Sequence, residues 1–160
     1  MRPFILLPTI LVVSSLAYAG GPRAVDLRCE YAQDPLAVQT AVPRLGWKLE
    51  SRVSGDRQTA YRILVASSEA RLADDEGDLW DSGKVDSDET LHIEYAGRPL
   101  ASAQRCYWKV RVWDRDAKPS DWSDAAQWTV GLLGLEDWHA KWITASTRIP
   151  PGIVEESLGR

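Results

Sequence analysis

Polar and apolar residues alternate with a period of two in several short stretches of the chain, the signature of strands with one buried face. From Val25 the order is Val25-Asp26-Leu27-Arg28-Cys29-Glu30-Tyr31, which places Val25, Leu27, Cys29 and Tyr31 on one face. The same spacing groups Leu45, Trp47 and Leu49, then Tyr61, Ile63 and Val65, then Leu91, Ile93 and Tyr95. It recurs in Cys106, Trp108, Val110 and Val112, and in Ala126, Trp128 and Val130; a short piece around DLWDSG is the candidate seventh strand. Clusters of Gly, Pro, Asp and Ser separate these stretches and supply turn geometry. The one helix signal is SSEARLADDEG, with Ser67 or Ser68 as cap, Glu69 in the first turn and Gly77 as the stop. Short strands without alternating long helices predict an all-β sandwich. Its core should hold Leu27, Leu45, Trp47, Ile63, Val65, Trp108, Val110 and Val130.

The two ends of the chain break the pattern. Residues 1–19 carry Arg2, an apolar run from Phe4 to Val13 and the small-residue stretch Ala17-Tyr18-Ala19, which reads as a secretory signal peptide. Export is the expected localisation, with no membrane association after cleavage. After Leu133 the sequence GLEDWHAKWI brings an aromatic patch, then Pro150-Pro151 and an aperiodic end. Residues 134–160 are too few for a second core.

Composition narrows the chemistry. The 160 residues are 44% hydrophobic and 26% charged with a net charge of -4, so nothing favours phosphate backbones and no nucleic-acid partner is expected. The acidic groups Asp74, Asp75, Glu76 and Asp78, then Asp86, Asp88 and Glu89, lack calcium-loop spacing and read as solvated turns. His92 and His139 are the only histidines, without HExxH, CxxC or GxSxG partners, so no metal, cofactor or catalytic triad is expected. Cys29 and Cys106 both fall on inward positions; two buried free thiols are expected, with an inter-sheet bridge as the alternative.

The stretches LRCEYAQDPLAV, PRLGWKLES, QTAYRILVASS, GDLWDSGKVDSD, YAGRPLAS, YWKVRVWD, WSDAAQWTVGLL and DWHAKWI occur in this order from Val25 to Ile143. Together they resemble the N-terminal fibronectin type III-like domain of bacterial α-L-rhamnosidases of glycoside hydrolase family 78. The resemblance implies an immunoglobulin-like, seven-stranded β-sandwich over residues 24–133. It implies that 134–160 is a linker and the truncated start of a following β domain. In such enzymes an (α/α)6 barrel carries the acids that hydrolyse terminal α-L-rhamnose with inversion, so no catalytic residue is assigned to this chain. Leu132, Leu133, Leu135, Trp138 and Trp142 are the expected contacts with the neighbouring β domain. The family usually has tyrosine where Cys106 stands, which implies a lost corner hydrogen bond and a looser turn at Leu100.

Two rings remain as candidate sugar platforms. Trp113 alternates outward on the Cys106 strand, and Trp122 follows it in SDWSD. Arg111 or Lys109 stacked on Trp122 would occupy the face that a sugar needs. The leading expectation is therefore a non-catalytic structural module. A stand-alone module that binds plant polysaccharide is the alternative.

Overall fold

The computed structural model describes residues 21–140. The expected leader, Trp142 and the remainder of 141–160 lie outside the described residues.

Among the described residues, seven strands form two antiparallel sheets that face each other. β1 (Arg23–Cys29), β2 (Arg44–Glu50) and β5 (Ile93–Glu94) make the first, in the order β1-β2-β5. β3 (Ala60–Ala66), β4 (Trp80–Asp81), β6 (Arg105–Trp113) and β7 (Ala126–Thr129) make the second, in the order β4-β3-β6-β7. All eight expected core residues are buried between the sheets, around Trp47, Trp108 and Trp128. Trp47 donates from its indole to Gln58 Oε1 at 3.0 Å, and the Gln58 amide donates to Ser87 O and Glu89 O. A buried polar pair thus holds an irregular loop against the core at no cost in unmade hydrogen bonds.

Simple alternation breaks at four places. In β1 the register slips between Val25 and Arg28, with Asp26 at φ 50°. That bulge turns Ala24 inward in place of Val25, while Leu27 and Cys29 stay buried. Tyr31 is exposed because the chain reverses at Glu30-Tyr31 before the ladder reaches it. Leu91 is exposed as well, since His92 at φ 61° breaks the alternation ahead of the two-residue β5. Leu49, expected inward, is partly exposed near the far end of β2, opposite Ala24.

The helix is shorter than its sequence signal. α1 spans Glu69–Ala73, with the Ser68 hydroxyl accepting from Arg71 N at 3.3 Å. Asp75 at φ 59° ends it, and Glu76 N returns to Arg71 O at 2.9 Å, so the left-handed stop is an aspartate and not Gly77. Gly77 instead meets a close approach: a Cβ there would lie 2.4 Å from Trp80 O. Leu72 packs α1 onto the outer face of the second sheet, over Leu64 and Ala66. This is why β3 is buried on both faces.

After Ala32 the chain crosses from the first sheet to the second. Val38 runs parallel to Val130, with Val38 N bonded to Thr129 O at 2.9 Å and Gly131 N to Val38 O at 2.8 Å. The Asp34 carboxylate accepts from Gln127 N at 2.8 Å. The β7 edge is thereby covered, which removes a template for aggregation. The corner before β6 corrects the expectation at Cys106. Tyr95 takes over the task, its hydroxyl 2.8 Å from Arg98 O and 3.2 Å from Leu79 O, and Leu100 is buried.

Candidate functional site

The outer face of the second sheet carries the cationic and aromatic residues singled out by sequence. Arg62 and Arg111 stand directly opposite each other on β3 and β6. Like charges in that position repel unless something separates or neutralises them. The segment Ser120-Asp121-Trp122-Ser123 provides the separation. Its two serines bond along β6, Ser120 Oγ accepting from Val112 N at 3.2 Å and Ser123 Oγ from Val110 N at 3.0 Å. Trp122, held between them, lies under the Arg111 guanidinium at 4.4 Å, Lys109 Nζ at 5.0 Å and Arg62 at 6.0 Å. Asp81 takes Arg62 in two hydrogen bonds of 2.9 and 2.6 Å.

Lys109 was expected on this outer face, and α1 covers it there. Its ammonium donates to Leu72 O at 2.6 Å and to the Asp75 carboxylate, and the residue is buried. Lys109 thereby depresses the Asp75 carboxyl below its ordinary range, as Arg62 does for Asp81. The second candidate ring, Trp113, has Lys84 Nζ 5.5 Å from its centroid. Both candidate platforms are thus faced by cations of the same chain.

Three of the remaining acids pair locally. Asp78 accepts from Ser67 N and Oγ, Glu76 pairs with Arg71 and Asp86 with Lys84. Among the described residues no three His, Cys, Asp or Glu side chains gather as metal ligands. Asp26 gathers Lys48 and Arg28, with Gln33 donating as well, and Lys48 first among them lowers its carboxyl to about 2. Cys29 and Cys106 are buried and unbridged, and burial pushes each thiol up to about 12.

A different surface is apolar and, among the described residues, exposed. Beyond β7 the chain leaves the sandwich through Leu132 and Leu133 into a 3-10 turn, Leu135–Asp137. Leu135 is 95% exposed and Trp138 64%. These side chains, with Ala37 and Gln39 of the crossing segment, line an open groove of about 490 Å³. The turn is fixed in place: Leu133 N donates to Ser102 Oγ at 2.9 Å, the Ser102 hydroxyl donates to the Asp137 carboxylate, and Gly134 N reaches the same carboxylate at 3.0 Å. Ser102, Asp137, Ala37 and Gln39 carried no signal in sequence, because only the Val38–Val130 pairing and the Ser102 turn bring them together.

Residues 24–134 match the family described as the Rha78A-like, N-terminal immunoglobulin domain. The chain belongs to this family. An α-L-rhamnosidase of Streptomyces avermitilis is 49% identical over 123 residues, which cover 77% of this chain and 12% of that protein. One from Formosa agariphila is 40% identical over 112 residues, 69% of this chain and again 12% of the relative. Among solved structures, the Streptomyces avermitilis α-L-rhamnosidase complexed with L-rhamnose superposes with a TM-score of 0.73 at 46% identity, over 78% of this chain and 12% of that one. The α-L-rhamnosidase from Dictyoglumus thermophilum gives 0.73 at 40% identity, over 76% and 14%. The chain therefore spans about one eighth of the length of these rhamnosidases and matches their N-terminal immunoglobulin-like domain.

Proposed function

We propose that this chain acts as the non-catalytic N-terminal module of an exported α-L-rhamnosidase and braces the β domain that follows it. The observation that carries the reading is the apolar strip of Leu132, Leu133, Leu135 and Trp138, held away from the sandwich by Ser102 and Asp137. Exposed apolar residues that a domain fixes in position, and does not bury, mark a contact with something else.

The electrostatics argue against hydrolysis by the module alone. An inverting glycosidase needs one carboxyl kept protonated by a raised pKa and a second that orients water across the sugar. Here Asp26, Glu30, Asp75 and Asp81 are all shifted the other way, by Lys48, Arg44, Lys109 and Arg62 respectively. Carboxyls held ionised by paired cations make poor general acids.

The test is release of p-nitrophenol from p-nitrophenyl α-L-rhamnoside by the purified chain, with the Streptomyces avermitilis enzyme as control. No release above buffer is expected. Turnover that survives further purification and disappears when a carboxylate of this chain is replaced would overturn the reading.

A further inference from the structure

The apolar strip past β7 carries both halves of a contact on one patch. Its convex half is Leu135, 95% exposed at the start of the 3-10 turn, with Trp138 just beyond the turn's end. Its concave half is the open groove of about 490 Å³, which Ala37, Gln39, Leu132 and Leu133 line together with those two. A two-fold contact requires a patch complementary to itself, because each copy offers the same surface that it receives. One leucine side chain takes only part of the groove, so Leu135 of one copy has room in the groove of another.

The patch is set before a partner arrives. Leu133 N is held by Ser102 Oγ, and the Asp137 carboxylate accepts from the Ser102 hydroxyl and from Gly134 N. Pairing therefore does not have to order this turn, which removes one of the usual costs of association. Those donors also occupy the one carboxylate that pins the turn, and Ser102 first among them holds the Asp137 carboxyl below its ordinary range. The β7 edge beside the strip is already covered by Val38, so a second copy meets side chains there and not open backbone. Leu132 and Leu133 add to Leu135 and Trp138 at 40% and 37% exposure. Covered in full, the four side chains bury about 500 Å² on each copy and about 1,000 Å² in a pair, the lower bound of a specific interface and the range of weak, reversible ones.

We infer that this strip pairs two copies of the chain about a two-fold axis, Leu135 of each entering the groove of the other. The inference goes beyond the proposed function, because the two occupants exclude each other. The pair forms in the chain by itself, and a β domain seated on the strip prevents it.

Sedimentation equilibrium of the full chain from about 5 to about 500 μM tests it, with a monomer–dimer constant of about 10–100 μM expected for so small an interface. Leu135→Asp should weaken the pair by about tenfold or more, and the exposure of Leu135 means that the variant keeps the parent's fold. Leu11→Asp, in the apolar run outside the described residues, should leave the constant unchanged. A chain that stays monomeric to the highest concentration, pairing that Leu135→Asp leaves intact, or pairing that only Leu11→Asp removes would each overturn the inference. Amide exchange of the parent chain is the second measurement: exchange at 132–138 should slow by about fivefold or more across the same concentrations. Slow exchange there that ignores concentration would mean that the chain covers its own strip, and the inference fails. The chain is then placed in the Streptomyces avermitilis enzyme in exchange for its matching domain, where 132–138 should be protected at every concentration. Protection that still rises with concentration in that enzyme would remove the proposed function and leave the pairing; a monomeric chain whose strip is protected in the enzyme would do the reverse.

Discussion

Replacing Tyr95 with phenylalanine isolates one hydrogen bond at the corner before β6. The ring is buried, edge-on to Trp80 at 5.4 Å and to Trp128 at 6.2 Å, and phenylalanine keeps both contacts. What disappears is the hydroxyl that reaches Arg98 O at 2.8 Å and Leu79 O at 3.2 Å. Leu79 O also accepts from Arg98 N at 2.9 Å, so Arg98 O bears most of the loss. Leaving this part-buried acceptor without its donor costs about 1–2 kcal/mol. For a domain of this size that lowers the melting temperature by about 4–8 °C. Deleting the ring with Tyr95→Ala should cost more, about 3–5 kcal/mol, because a cavity is added. Thermal unfolding followed by tryptophan fluorescence gives both numbers. If Tyr95→Phe melts with the parent, the hydroxyl does not hold the corner, and the looser Leu100 turn implied by Cys106 regains its standing. Gly97 gives an independent check, since a Cβ there would lie 2.5 Å from the Tyr95 hydroxyl and 2.4 Å from Leu79 O. Gly97→Ala should therefore destabilise more than Tyr95→Phe does.

Trp108→Ala should lose about 3–5 kcal/mol in chemical denaturation, since the ring is fully buried beside Trp128; an unchanged midpoint would refute the facing of β6. Alkylation of the unfolded, unreduced chain should add two labels, at Cys29 and Cys106, and a species with none would establish the bridge instead. Acid should unfold the domain through its paired carboxylates. Asp26 is depressed from 3.8 to about 2, so its contribution is whole above pH 4 and fades as pH falls toward 2. Glu30, Asp75 and Asp81 shift in the same direction. A stability flat from pH 5 to 2 would contradict all four pairings.

Alternation was enough to find six of the seven strands and the core, because a sheet with one face in a core and one in water writes its period directly into sequence. It failed where the backbone turns left-handed at residues other than glycine. Asp26, Glu30, Tyr31 and His92 all do so, and each resets which neighbours face inward. The β3 strand hid a different fact: Leu64 and Ala66 looked outward by period, yet α1 buries them through Leu72. A five-residue helix has too short a pattern to announce its packing face. The corner tyrosine was sought at the start of β6 when the ring comes from just after β5, a difference of position that only the tertiary fold displays.

The apolar strip past the last strand was legible as composition, and its geometry was not. Leu132, Leu133, Leu135 and Trp138 stood out as apolar residues past the last strand, but Ser102 and Asp137, which fix them, are ordinary polar residues far apart in sequence. Set beside the outer face of the second sheet, the strip shows two opposite treatments of surface side chains. Trp122 and Trp113 are faced by Arg111, Lys109, Arg62 and Lys84, which occupy positions over the rings that a ligand would need. A cation over an indole is worth about 0.5–2 kcal/mol, and a bound sugar would have to displace it before gaining contact. Among the described residues no cation faces Trp138, so burying Leu135 and Trp138 gains apolar area without breaking a described pair. The sandwich thus pairs the rings of its charged face with its own cations and, among the described residues, leaves an apolar strip at its pole exposed.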